Sequence, residues 1–118
     1  MFRFSRALVP LVLLLLAMAP GFAQARHTRH DLGRCWITGY VYDGSYTATG
    51  TWPRAWSTVA VDPNVIPLGA FLSIGGLGSG FHAEDTGGDI KGCRVDVFVR
   101  TVSQAYALTG WRSVTWWR

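Results

Sequence analysis

The chain has 118 residues, and its 11 Lys and Arg against 7 Asp and Glu give a formal net charge of +4. Most of the arginines stand singly rather than in runs, which excludes the concentrated basic stripe of a nucleic-acid binder. The mild positive balance is suited to a polyanionic surface instead.

The first 25 residues read as a signal peptide. Met1 to Arg6 form a short cationic head, residues 7–19 are an apolar run, and Ala23-Gln24-Ala25 places small residues where a signal peptidase cuts. The run is shorter than the ~20 apolar residues of a membrane span, and Pro10 and Pro20 interrupt or bound it. No Cys follows it at a lipoprotein position. Cleavage after Ala25 is therefore expected, leaving a periplasmic or secreted protein with no membrane span. It leaves 93 residues carrying 9 basic and 7 acidic side chains, since Arg3 and Arg6 go with the leader. That is one domain near the small end of what a single core stabilises, and a monomer is expected.

Residues 26–34 are polar, without apolar period, and read as a flexible leader to a domain over 35–118. From there the pattern is short β-prone segments broken by Gly, Pro and Asp. Residues 36–42 (WITGYVY) predict a first strand and 57–61 (STVAV) a second, stopped by Asp62-Pro63. A third is predicted over 70–74, a turn at Gly78-Ser79-Gly80, and a fourth strand over 81–84. In residues 85–89 (DTGGD) the paired glycines predict a tight loop with positive φ. Residues 94–99 alternate polar and apolar, the period of a half-buried strand. Residues 102–108 are the one helix candidate, with Ser103 as its cap and Gly110 at its C-terminus. Residues 112–117 close as a last strand. About six strands and one helix predict a small, mostly β barrel, whose closure removes exposed edges.

Cys35 and Cys93 are an even pair in a chain expected to be exported, which points to a disulfide, with two free thiols as the alternative. Two cysteines and three scattered histidines fall short of a zinc set, so no metal or cofactor is expected.

Chemistry concentrates in the acidic residues: four of the seven lie between Glu84 and Asp96. Asp85 precedes a Gly-rich turn. On a strand, Val95 and Val97 share one face and Arg94, Asp96 and Phe98 the other. A partly desolvated carboxyl beside Phe and Val has a raised pKa, the condition for a general acid near neutral pH. Read without further context, Asp85 and Asp62 are also ordinary turn residues and strand terminators.

The blocks at residues 47–51 (TATGT), 59–69 (VAVDPNVIPLG), 83–92 (AEDTGGDIKG) and 94–98 (RVDVF) together resemble the three-aspartate, or 3D, domain family. They are also similar to the catalytic barrel of membrane-bound lytic transglycosylase A. The resemblance runs from about Tyr40 to the C-terminus. It implies a six-stranded double-psi β-barrel and a peptidoglycan lytic transglycosylase. Such an enzyme cleaves the β-1,4 bond from N-acetylmuramic acid to N-acetylglucosamine, with the muramyl 6-hydroxyl closing onto C1 as a 1,6-anhydro product. It maps the three family aspartates onto Asp62, Asp85 and Asp96, with Asp96 as acid/base and the others positioning and tuning it. Thr49 and Lys91 correspond to groove residues facing sugar hydroxyls.

Two positions depart from the family pattern. Cys93, if bonded to Cys35, pins the strand of Asp96 to the first strand. Asp89 adds a carboxylate that either raises a neighbouring pKa or faces solvent. The large transglycosylase's second domain has no counterpart in these 118 residues. A competing expectation is a non-catalytic glycan-binding barrel of the expansin type, since fold does not determine function. Peptidoglycan glycan strands are the expected partner in both cases.

Overall fold

A computed structural model describes residues 27–118, so the expected signal peptide over 1–25 lies outside the described residues. The chain forms β1 (His30–Tyr40), β2 (Thr58–Val61), β3 (Phe71–Ile74), β4 (Gly78–Asp85), β5 (Arg94–Phe98), α1 (Val102–Leu108) and β6 (Gly110–Trp117). The strands close into a barrel in the order β1-β5-β2-β4-β3-β6. Pairs β1/β5 and β2/β4 are parallel and the other four antiparallel. The fold is thus the small six-stranded, mostly β barrel with one short helix that the strand pattern predicts.

Alternation decides which side chains fill the barrel. Ile37, Val59, Val61, Leu72, Ile74, Val95, Val97 and Val114 are all buried within it. Each buried aliphatic side chain of this size stabilises by about 1.5–3 kcal/mol relative to exposure. Their strand neighbours Thr38, Asp96 and Arg94 are left only partly covered, on the outer face.

Several local expectations are corrected. Residues 30–34, placed in the leader by their polarity, belong to β1 and pair with β6. They are polar because most of them stay exposed; pairing, not burial, makes them strand. Gly78-Ser79-Gly80 opens β4 rather than forming a turn. Helix α1 is capped by Thr101, whose hydroxyl accepts from Gln104 N while the Gln104 side chain accepts from Thr101 N. Ser103 lies inside the first turn. Thr109 ends the helix with φ −62°, and Gly110 opens β6. In the 85–89 loop neither Gly87 nor Gly88 has positive φ. Gly87 is small for space, since a Cβ there would come within 2.9 Å of Ile90 Cγ1.

Cys35 and Cys93 are joined by a disulfide that ties β1 to the start of β5. Closing a loop of 58 residues contributes about 4 kcal/mol in the chain-entropy model. On the other flank of β1, Gly39 lets α1 approach closely: a Cβ there would sit 2.7 Å from Ala105 Cα. Both contacts hold the middle of β1, where Thr38 and Tyr40 face outward.

Candidate active site

Strand register brings together residues that are far apart in sequence. Thr38 on β1 is the partner of Asp96 on β5; Asp96 is the partner of Ala60 on β2; Ala60 is the partner of Asp85 on β4. Residues directly opposite on neighbouring strands point to the same side of a sheet. Thr38, Asp96, Ala60 and Asp85 therefore form one row across four strands, with buried Ala60 between the two carboxyl-bearing residues.

Asp85 is on this row because of a bulge. Val59 pairs with Ala83 and the next residue, Ala60, with Asp85, so Glu84 is the extra residue on β4. Bulges re-aim side chains in this way. Without it, Asp85 would fall one position out of phase and point to the opposite side.

The two carboxyl groups differ in how much of their capacity is used. Asp85 Oδ1 accepts from Ala48 N at 3.0 Å and Thr86 N at 2.9 Å. Its Oδ2 accepts from the Tyr40 hydroxyl at 3.1 Å. Asp96 Oδ1 accepts from Thr38 Oγ1 at 2.8 Å, and Oδ2 has no partner among the described residues. Burial pushes the Asp96 carboxyl above the usual carboxylate range and nearby Asp85 adds to this, while the Thr38 hydroxyl and Arg94 oppose it. Asp89 is exposed and is not among the groups that shift Asp96. It presents its backbone carbonyl to Arg94 Nη1 at 3.1 Å.

Tyr40 was not singled out by the sequence. Burial, then the charge and hydrogen bond of Asp85, raise its pKa far above the ordinary value, so its hydroxyl remains a donor. Chemically the row offers one half-buried carboxyl group with a free oxygen and one whose two oxygens accept from three donors. Two strand spacings put their backbones roughly 10 Å apart.

Asp62 sits elsewhere. It is buried at the end of β2, its Oδ2 accepting from Gly92 N at 2.9 Å and its Oδ1 from Asn64 N at 3.0 Å. These amides, helped by Lys91, hold its carboxyl below the usual range. Its carbonyl also accepts from Val65 N and Ile66 N. Asp62 and Lys91 thus belong with the turn leading into Cys93 and β5. Thr49 lies on the loop between β1 and β2, its amide donating to the Glu84 carbonyl at 3.0 Å and its hydroxyl joining those of Thr47 and Thr51.

At the bulge itself, Glu84 is buried with both oxygens engaged, one by Thr51 Oγ1 and one by His82 Nδ1 at 2.8 Å. Among the described residues no cluster of His, Cys, Asp and Glu is arranged to hold a metal ion, and no helix is long and apolar enough to cross a membrane.

A six-stranded barrel with this aspartate row defines a class, and comparison with known families gives it a name. Residues 57–118, more than half of the chain, match the model of the 3D domain; the protein belongs to the 3D domain family.

Among characterised sequences it is similar to the Cell wall-binding protein YocH of Bacillus subtilis (strain 168). The two are 55% identical over 47 residues, covering 40% of this chain and 16% of that protein. It is also similar to the Putative cell wall shaping protein YabE of the same organism, 48% identical over 65 residues, covering 52% of this chain and 16% of that one. The match therefore spans about a sixth of either relative. Two solved structures are similar: MltA from E. coli (TM-score 0.48, 22% identity, 64% of this chain and 28% of that one) and the lytic transglycosylase LtgG of Burkholderia pseudomallei (0.47, 29%, 64% and 26%).

Proposed function

We propose that the protein is an exported peptidoglycan lytic transglycosylase with Asp96 as its general acid and base. The observation that carries this reading is the Asp96 carboxyl itself: half-buried, raised in pKa, fixed through Oδ1 and free at Oδ2. The names of the Bacillus relatives support action at the cell wall, and hence a location outside the cytoplasm.

In the reaction, protonated Asp96 gives its proton to the glycosidic oxygen as the bond from muramyl C1 to that oxygen breaks. The leaving N-acetylglucosamine departs with a new hydroxyl. The resulting Asp96 carboxylate takes the proton of the muramyl 6-hydroxyl as that oxygen bonds to C1, which restores the acid. Protons balance over one residue and no water is consumed, so a second free carboxylate is not required. Burial raises the Asp96 pKa, and nearby Asp85 adds to it. Thr38 orients the carboxyl, and Asp62 positions the start of β5. Thr49 and Lys91 are placed in this reading as outlying glycan contacts.

A second reading has its own support. YocH is named as a cell wall-binding protein, and a barrel that only holds glycan fits that name. Incubation with purified sacculi separates the two. Soluble muropeptides released by the wild type and not by Asp96→Asn support the enzyme. Co-sedimentation with sacculi and no release supports the binding module.

A further inference from the structure

The loop between β1 and β2 carries an aromatic group that the aspartate row leaves unused. Tyr42, Tyr46 and Trp52 are all exposed, at 45%, 67% and 54%. They nevertheless touch one another: Trp52 lies 5.1 Å from Tyr42, tilted by 48°, and 5.0 Å from Tyr46, tilted by 74°. Three large rings held together in solvent cost hydration that packing into the barrel would have recovered. The loop is held in place. Asp85 accepts from Ala48 N, Thr49 N donates to Glu84 O, and the turn closes by Thr47 N to Thr51 O at 2.9 Å. The cluster therefore begins two residues from Tyr40, whose hydroxyl rests on Asp85.

Trp52 is also a wall of a pocket of about 580 Å³, whose remaining lining is polar: Thr51, Arg54, His82 and Glu84. Glu84 is saturated by Thr51 and His82, which fixes both of those side chains. Ring faces beside hydroxyl, imidazole and guanidinium groups are complementary to a pyranose. A pyranose has an apolar C–H face and a rim of hydroxyl and acetamido groups.

We infer that Tyr42, Tyr46 and Trp52 form a stacking subsite for a pyranose of the glycan strand, with the His82–Arg54 pocket receiving its polar rim. The inference rests on the peptidoglycan reading above and extends it to where the strand is held. A protein partner suits the patch less well. At these exposures the rings offer roughly 300–400 Å², against ~800 Å² per partner in a stable interface.

The test is calorimetric titration of the protein with tetra-N-acetylchitotetraose, alongside co-sedimentation with sacculi. Trp52→Ala is expected to weaken binding about ten-fold, equivalent to about 1.4 kcal/mol. Trp52→Phe, which keeps a ring, should recover part of it, and Trp111→Ala, an exposed tryptophan on β6, should change nothing. Unchanged thermal unfolding establishes that Trp52→Ala folds; if it does not, Trp52→Phe and Tyr46→Ala carry the comparison. Binding by the wild type that survives Trp52→Ala intact overturns the subsite and leaves the glycan reading standing. No binding by the wild type to either probe overturns both. A wild-type dimer dispersed by Trp52→Ala assigns the patch to self-association and likewise overturns the subsite.

Discussion

Asp96 and Asp85 flank one small residue, Ala60, and are held in opposite ways: Asp96 by a single hydroxyl, Asp85 by two amides and a phenol. Burial raises the pKa of the sparsely bonded Asp96 above the usual carboxylate range. Two like groups on one row thus differ in their surroundings: one keeps an unpartnered oxygen, and both oxygens of the other are engaged.

Asp96→Asn is expected to lower turnover by about 10²–10⁴-fold, the usual worth of a general acid and base. It should also stabilise the fold. With its folded pKa raised above 3.8, Asp96 contributes stability fully below that value and loses it as pH rises through the folded pKa. The Tm of Asp96→Asn minus that of the wild type should therefore grow with pH from about 3.8 upward. Activity of the wild type should fall as pH rises through the same folded value. Melting curves across pH check the first and rate profiles the second.

Tyr40→Phe removes the phenol donor to Asp85 and keeps the ring that packs edge-on against Phe98, 5.4 Å away. A hydrogen bond to a charged group is worth about 1.5–3 kcal/mol of stability, so a loss of that order on chemical denaturation is expected, together with a lower kcat if the bond positions Asp85 for the reaction. Because the Tyr40 pKa is pushed far up, the wild type should show no alkaline limb from this group. Equal kcat in Tyr40→Phe would assign Tyr40 to packing alone.

Much of the barrel was legible in the sequence because alternation is local. Val95 and Val97 against Arg94 and Asp96 need no partner strand to be read, and they identify the outward carboxyl. The site was only half legible. Its geometry depends on register between strands remote in the chain, and above all on the bulge at Glu84, which no local pattern announces. Tyr40 meets Asp85 across 45 residues and reads by itself as a strand aromatic. Asp62 shows the converse. Its resemblance to the family aspartates is plain in the sequence, yet its carboxyl is spent on the amides of Asn64 and Gly92. The first half of β1 was missed for a similar reason, since an exposed paired strand of mixed polarity looks like a leader.

Asp62→Asn should lower Tm at neutral pH and remove part of the acid sensitivity. The Asp62 pKa is lowered on folding, so its contribution is present above 3.8 and lost as pH falls through the folded value. The wild type and Asp62→Asn should therefore converge in Tm at low pH. A constant difference across pH would contradict this.

Replacing Cys35 and Cys93 together by Ser opens the tie between β1 and β5. A loss of about 2–5 kcal/mol is expected by chemical denaturation, as for native disulfides in small exported domains. Reduction of the wild type should reproduce it.

Mass spectrometry of the products released from purified sacculi in ¹⁸O-labelled water tests the role of Asp96 as acid and base. The wild type should release 1,6-anhydro muropeptides, one water lighter than hydrolysis products and free of label, and Asp96→Asn should not. Labelled reducing ends, no release at all, or anhydro products persisting in Asp96→Asn would contradict it.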